Sequence, residues 1–387
     1  MVGPRHLPGL DHLRSLAILL VFLYHYQLFP HPAWIPYVGN FGWIGVDLFF
    51  VLSGYLIADQ LLAQRERTGS IALGSFYLRR AMRILPAYAA VLALYFLIPA
   101  VQERDGIAPI WKFCTFTMNW GLDLRDQASF SHAWSLCVEE HFYLLLPLTL
   151  LLFQAVRFRR AGWVLAALFL FTLAARGYAW ASMVPDAMKG RPSYEWMEWI
   201  YYPTPCRLDG LLTGVGIAAL MRYRPRWAER LKARGNLHFA LGALCLLLAW
   251  GLAKDRYSLV STLFVFTLVS IGFGLWVLAV LSPSFVLHAH AWKPSKFAAE
   301  LAFTFYLVHK AVIHLTQTAL SEYMAPESGL LFACCILTSV AAALALRMAV
   351  EKPFLKLRDR LQARSTSRVV QELAVTPVGG QHGPIRK

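Results

Sequence analysis

The chain is divided into apolar stretches about twenty residues long, and that spacing leaves few folds open. Helices of that length cross the roughly 30 Å hydrocarbon layer of a bilayer, where only helices and closed barrels satisfy every backbone donor and acceptor. About ten stretches can be placed: near Leu13–Phe29, Gly45–Leu62, Ala81–Ala100, Ala133–Phe153, Trp163–Met183, Leu208–Met221, Leu237–Ala253, Ser258–Leu281, Ala298–Leu320 and Leu330–Val350. Composition agrees: 58% of residues are hydrophobic, 15% are charged, and the mean hydropathy is +0.49. The expected class is all-α, a polytopic integral membrane protein with about ten transmembrane helices.

A net charge of +15 would suit a nucleic-acid partner, so its placement matters more than its size. The basic residues crowd one set of alternate loops: Arg5, the run from Arg65 to Arg83, Arg157 to Arg160, Arg222 to Arg234, Lys293 and Lys296, and the tail. The opposite loops hold only Arg104, Lys112, Arg125, Lys189, Arg191, Lys254 and Arg256. This asymmetry places both termini in the cytoplasm and accounts for the charge without nucleic acid. The start of the chain has no short apolar region with a small-residue cleavage site, so the first span is expected to be retained. Six cysteines show no metal-ligand spacing and no disulfide framework. Residues 1–354 are expected to form one transmembrane domain. The basic tail 355–387 has too few large apolar residues for a core and is expected to be partly disordered.

Within the spans stand polar residues that lipid does not tolerate without a purpose. In LDHLRSLAILLVFLYHYQLF, Arg14 and His25 lie eleven residues apart, hence on one helical face and roughly 16 Å apart along the axis. An imidazole at that depth marks a functional site unless a neighbour satisfies it, and Arg14 by itself would be a snorkelling anchor. Asp47, at the edge of GVDLFFVLSGYLI, has a depth comparable with His25 on the neighbouring antiparallel helix and is expected to orient the imidazole. Ser53 and Gly54 read as close-packing residues.

SFYLRRAMRILPAY sets Arg79, Arg80 and Arg83 within little more than one turn. A positive-inside anchor explains them, but with Arg14 at the same depth they also suit phosphate, which guanidinium forks bind bidentately. In SHAWSLCVEEHFYLLLP, Ser135, Glu139 and Tyr143 share a face, and at least one of Glu139 and Glu140 must meet a partner or a cavity. Further candidates are Tyr306, His309 and Lys310, then Glu351, and the pair Arg207 and Asp209, read as an ion pair holding the sixth span. No metal site is expected.

Together these stretches resemble the acyltransferase family 3 membrane proteins. The resemblance is carried by the Arg14-x10-His25 spacing, GVDLFFVLSGYLI, FYLRRAMRILPAY and WSLCVEEHFYLLLP, and more weakly by RLDGLLTGVGIA, FYLVHKAVI and VEKPF, in that order from Leu10 to Phe354. His12, Cys137, His141 and Lys310 depart from residues common in the family. The appended hydrolase-like domain of some members is not expected here. The resemblance implies an O-acyltransferase of the bacterial inner membrane, moving an acyl group, typically acetyl, from cytoplasmic acyl-CoA to a hydroxyl of a carbohydrate or other extracytoplasmic acceptor. A homo-oligomer is compatible with it.

On that reading, Arg14, Arg79, Arg80 and Arg83 would hold the CoA phosphates, and His25 would serve as general base or as acyl carrier. Asp47 or Glu139 would hold the imidazole tautomer, and Ser135 or Tyr306 would donate to the developing oxyanion. One continuous channel is expected from the guanidinium cluster to His25. The rival is a proton-coupled transporter or flippase, which uses similar buried groups but often carries internal repeats that are not found here. Acetyl-CoA is accordingly expected to raise the Tm of the detergent-solubilised protein; an unchanged Tm at saturating concentration would favour the transporter.

Overall fold

The computed structural model describes residues 7–152 and 161–362, and the basic residues Arg5, Arg157, Arg159 and Arg160 and the tail from 363 onward lie outside the described residues. The architecture is helical, with ten helices of 15 residues or more among the described residues. They are α1 (Pro8–Tyr26), α2 (Ile44–Thr68), α3 (Leu73–Leu97), α4 (Trp134–Leu152), α5 (Ala161–Ser182), α6 (Asp209–Tyr223), α7 (Gly235–Leu252), α8 (Leu259–Leu281), α9 (Lys293–Leu320) and α10 (Gly329–Leu346).

Seven helical stretches are long and apolar enough to cross a membrane, those containing α2, α3, α4, α5, α7, α8 and α10. The sequence expectation of about ten counts α1, α6 and α9 as well. Each misses the length or the apolar measure for a physical reason. α6 is 15 residues long. α1 carries Asp11 and His25, and α9 carries His309 and Lys310, all buried inside the bundle. The polar groups that lower the hydropathy of α1 and α9 face the bundle interior.

α2 lies at the centre, packed against α1, α4, α6 and α8, while α9 packs between α1 and α10. Close approach at the centre depends on small residues. A Cβ at Gly210 of α6 would come within 2.8 Å of the Phe50 Cβ on α2, so the two backbones meet where a larger residue would wedge them apart. Between α3 and α4 the chain crosses the end of the bundle. It turns at Gly106 (φ +71°), where a side chain would also collide with the Asp126 carbonyl. A short bridge pairs Ile107 with Ser129, and Phe130 stacks on Tyr95 with ring centroids 4.4 Å apart. This crossing segment delivers Glu103, Ser131 and His132 to the bundle interior.

Two buried ion pairs tie α6 to its neighbours. The Arg207 Nη2 lies 2.9 and 3.1 Å from the Asp47 carboxylate on α2. Arg176 on α5 meets Asp209 bidentately at 3.0 and 3.1 Å, and Thr267 on α8 donates to the same carboxylate at 2.5 Å. Arg207 and Asp209 were expected to pair with each other. Two residues apart at the start of α6, they reach different helices instead, and each finds a partner there. Removing one member of such a pair strands a buried charge, at a cost of about 3–5 kcal/mol. Asp209→Ala is therefore expected to lower the Tm in detergent markedly, as read by tryptophan fluorescence, whereas an unchanged Tm would show that Arg176 finds another partner.

Candidate active site

α1 runs without interruption from Pro8, which supplies the fixed φ favoured in a first turn. It holds Arg14 and His25 in the rigid relation that the spacing implies. His25 is only 8% exposed, and its Nδ1 lies 2.8 Å from the Nε2 of His309 on α9. The His309 Nδ1 in turn lies 2.8 Å from the Tyr306 carbonyl and 3.2 Å from that of Phe305. A carbonyl can only accept, so the His309 Nδ1 carries the proton and its Nε2 accepts from the His25 Nδ1–H. Both tautomers follow from that chain of donors. The His25 Nε2 is left as a lone pair on the wall of a cavity of about 520 Å³.

A third imidazole, His132, stands 5.7 Å from the His25 ring and 5.1 Å from that of His309, centroid to centroid. Beside it, Lys310 forms an ion pair with Glu103 at 2.7 Å and donates to Ser131 at 3.3 Å. His132 and Lys310 both line the cavity with His25. The sequence reading passed over His132 and Glu103. The only signal was a histidine at the very start of an apolar span and a carboxylate in a loop, neither unusual by itself.

A second cavity, about 860 Å³, opens around Arg14, Arg79, Arg80 and Arg83. It gathers all four guanidinium groups singled out in the sequence. Arg14 keeps Asp11 at 3.6 Å. Arg80 donates to Gln60 at 3.2 Å and lies over the Tyr143 ring, and Arg79 donates to Ser75. Among the described residues, none of Arg79, Arg80 and Arg83 forms an ion pair. Three cations without salt-bridge partners around one cavity are an anion site by charge and geometry.

The two cavities share Val46 in their walls and are parted where Tyr306 meets the start of α4. The Tyr306 hydroxyl donates to the His132 carbonyl at 2.6 Å and lies 2.6 Å from the Ser135 hydroxyl. Since the tyrosine proton is committed to the carbonyl, Ser135 donates to Tyr306. The single channel expected from the sequence is thus two chambers with a hydrogen-bonded partition, and neither hydroxyl has a free proton for an oxyanion in this arrangement. Two further expectations change. Asp47 is engaged by Arg207 and does not hold His25. Glu139 lies on the basic cavity, accepting from Ser53 at 2.7 Å and from Tyr143 at 3.1 Å. The residue that orients His25 is His309. Among the described residues, no group of three or more His, Cys, Asp or Glu side chains is placed to hold a metal ion.

The family described as an acyltransferase domain matches residues 7–348. The chain is 29% identical over 343 residues to the peptidoglycan O-acetyltransferase OatA of Listeria monocytogenes, which covers 82% of this chain and 51% of that protein. It is 32% identical over 234 residues to the O-acetyltransferase OatA of Staphylococcus aureus, covering 56% of this chain and 35% of that protein. The chain thus spans about half the length of the first of these relatives and about a third of the second. No solved structure matches it.

Any reaction that uses the His25 lone pair depends on the tautomer His309 imposes. His309→Phe removes the acceptor and is expected to lower kcat by roughly 10²-fold or more, with the KM for the donor held within about twofold. An unchanged kcat would mean that another group sets the tautomer.

Proposed function

We propose an acyl-transfer reaction for this chain, which belongs to the acyltransferase-domain family matched over residues 7–348. On this reading it is an integral membrane O-acetyltransferase of a bacterial inner membrane, with about ten spans and both termini cytoplasmic. Residues 1–354 form the transmembrane catalytic unit and 355–387 a basic cytoplasmic tail. The donor is acyl-CoA, most simply acetyl-CoA, and the acceptor is a carbohydrate hydroxyl presented from the other side. The observation that carries this reading is the bare His25 Nε2, fixed by the His309 hydrogen bond and facing a cavity.

The donor phosphates dock on Arg79, Arg80, Arg83 and Arg14, where partial dehydration strengthens the attraction. The pantetheine arm then passes the Tyr306–Ser135 partition and brings the thioester to His25, along the roughly 16 Å that separates Arg14 from the imidazole. The His25 Nε2 takes the proton of the acceptor hydroxyl as its oxygen attacks the thioester carbonyl carbon. When the C–S bond breaks, the imidazolium returns that proton to the departing thiolate. His309 accepts the Nδ1–H throughout. The Lys310 ammonium, on the same cavity wall, keeps one N–H beyond those given to Glu103 and Ser131 for the tetrahedral oxyanion.

The partition between the chambers also favours a second route. The His25 Nε2 attacks the thioester itself, the thiolate leaves into the basic chamber, and the acceptor hydroxyl then opens the acyl-imidazolium, releasing its proton to solvent and restoring the His25 lone pair. Rapid acid quench of a single turnover without acceptor separates the two: an acetyl-sized mass increase on the peptide containing His25 belongs to this route alone.

His25→Ala is expected to abolish transfer while the protein still accumulates in the membrane; residual activity near wild type would remove His25 from the chemistry. Charge-assisted hydrogen bonds to phosphate contribute about 1.5–3 kcal/mol each. Arg79→Ala and Arg80→Ala are therefore each expected to raise the acetyl-CoA KM about tenfold or more, with kcat much less affected. An unchanged KM in both would overturn the donor site.

A further inference from the structure

The histidine cavity has two features that the transfer chemistry does not use. One is its aromatic wall: Tyr24 and Tyr257 line it half-buried, backed by Trp134, Tyr201 and Tyr202, which are each 4% exposed. Ring faces of this kind stack on the apolar C–H faces of sugar rings, while Tyr hydroxyls and the Trp N–H remain available for hydrogen bonds. The other is a cation with no carboxylate partner. Three cations line the cavity, Arg125, Lys310 and Arg256. Arg125 is bound to Glu195 and to Asp123, and Lys310 is bound to Glu103.

Arg256 differs from both. Its guanidinium donates to the Tyr257 hydroxyl at 2.9 Å and lies over the rings of Tyr257 and Trp196, at 5.0 and 5.8 Å. Among the described residues it forms no ion pair. It is half-buried, in the turn between α7 and α8, with donors left over on a planar fork. A guanidinium held against aromatic rings beside a cavity matches a carboxylate or phosphate in geometry and in charge.

We infer that the acceptor is an anionic saccharide, with its rings against the aromatic wall, its carboxylate or phosphate on Arg256 and its reacting hydroxyl at the His25 Nε2. The inference deepens the acyltransferase reading and rests on it for the reaction. The binding half stands on the cavity alone, and this allows the two to be tested apart.

The test uses the full-length protein in detergent with three matched probes: an oligosaccharide containing a uronic acid, the same oligosaccharide with that carboxyl reduced to the alcohol, and a sugar-phosphate counterpart. Binding is read without donor, as the rise in Tm. Transfer is read with acetyl-CoA, as the acetyl-sized mass increase of each probe. The wild type is expected to prefer at least one anionic probe over the neutral one by about tenfold, equivalent to about 1.4 kcal/mol. Which anionic probe is preferred separates carboxylate from phosphate.

In Arg256→Gln the ratio of anionic to neutral is expected to fall to about one, and in Arg256→Lys to recover in part. Stabilisation of Arg256→Gln by acetyl-CoA, equal to that of the wild type, establishes that the variant is folded. Equal response of the wild type to charged and neutral probes overturns the inference, as does a preference that survives Arg256→Gln or the absence of any response. Anionic probes that bind through Arg256 but are never acetylated leave the saccharide site standing and remove the acyltransferase reading instead.

Discussion

The hydrogen bond between His25 and His309 is the interaction on which the rest of the site depends. It spans 2.8 Å between two helices far apart in sequence, and it exists because α1 and α9 pack side by side. His309 is fully buried and lines neither cavity, so both of its ring nitrogens must find partners in the protein. The backbone carbonyls of α9 settle the direction of every proton in the chain, down to the lone pair on the His25 Nε2. An aspartate in place of His309 would add charge at this depth. A second neutral imidazole fixes the tautomer without that cost.

The remaining polar groups sort by whether they are paired. Arg207 with Asp47, Arg176 with Asp209, and Lys310 with Glu103 are closed pairs with little or no exposure. Such pairs contribute little net stability relative to apolar packing, yet breaking one is expensive, so they set which helices lie together. Around the basic cavity Arg222 is paired with Asp59 and Glu66 and Arg14 with Asp11, but three other guanidinium groups, all on α3, are not paired. Arg79, Arg80 and Arg83 approach one another without salt-bridge partners among the described residues, an arrangement that repels itself until an anion arrives. Arginine is thus structural where a carboxylate holds it and available for binding where none does.

Tyr306 and Ser135 stand between these two regions. Their hydroxyls satisfy each other and the His132 carbonyl, which closes the partition in the resting arrangement. Both partners are side chains on otherwise regular helices, and a rotamer change is all that their separation requires. The division into two chambers therefore need not involve movement of the bundle.

From the sequence alone, the helical membrane class, the order of the spans and the identity of the polar residues could be read, because apolar length and helical periodicity are local properties of the chain. The Arg14–His25 relation was equally legible, since both lie on one unbroken helix. Partnerships were not. Asp47 matched His25 in depth but faces Arg207, and Arg207 and Asp209, neighbours in sequence, reach different helices. Glu139 turned out to border the guanidinium cavity, and His309 could be named a candidate without any indication that its ring meets His25. Depth in a bilayer follows from position along a helix, but the direction a side chain faces follows from how that helix is rotated against its neighbours. That rotation is decided by close contacts such as Phe50 against Gly210, between residues widely separated in sequence, and only the assembled bundle contains it.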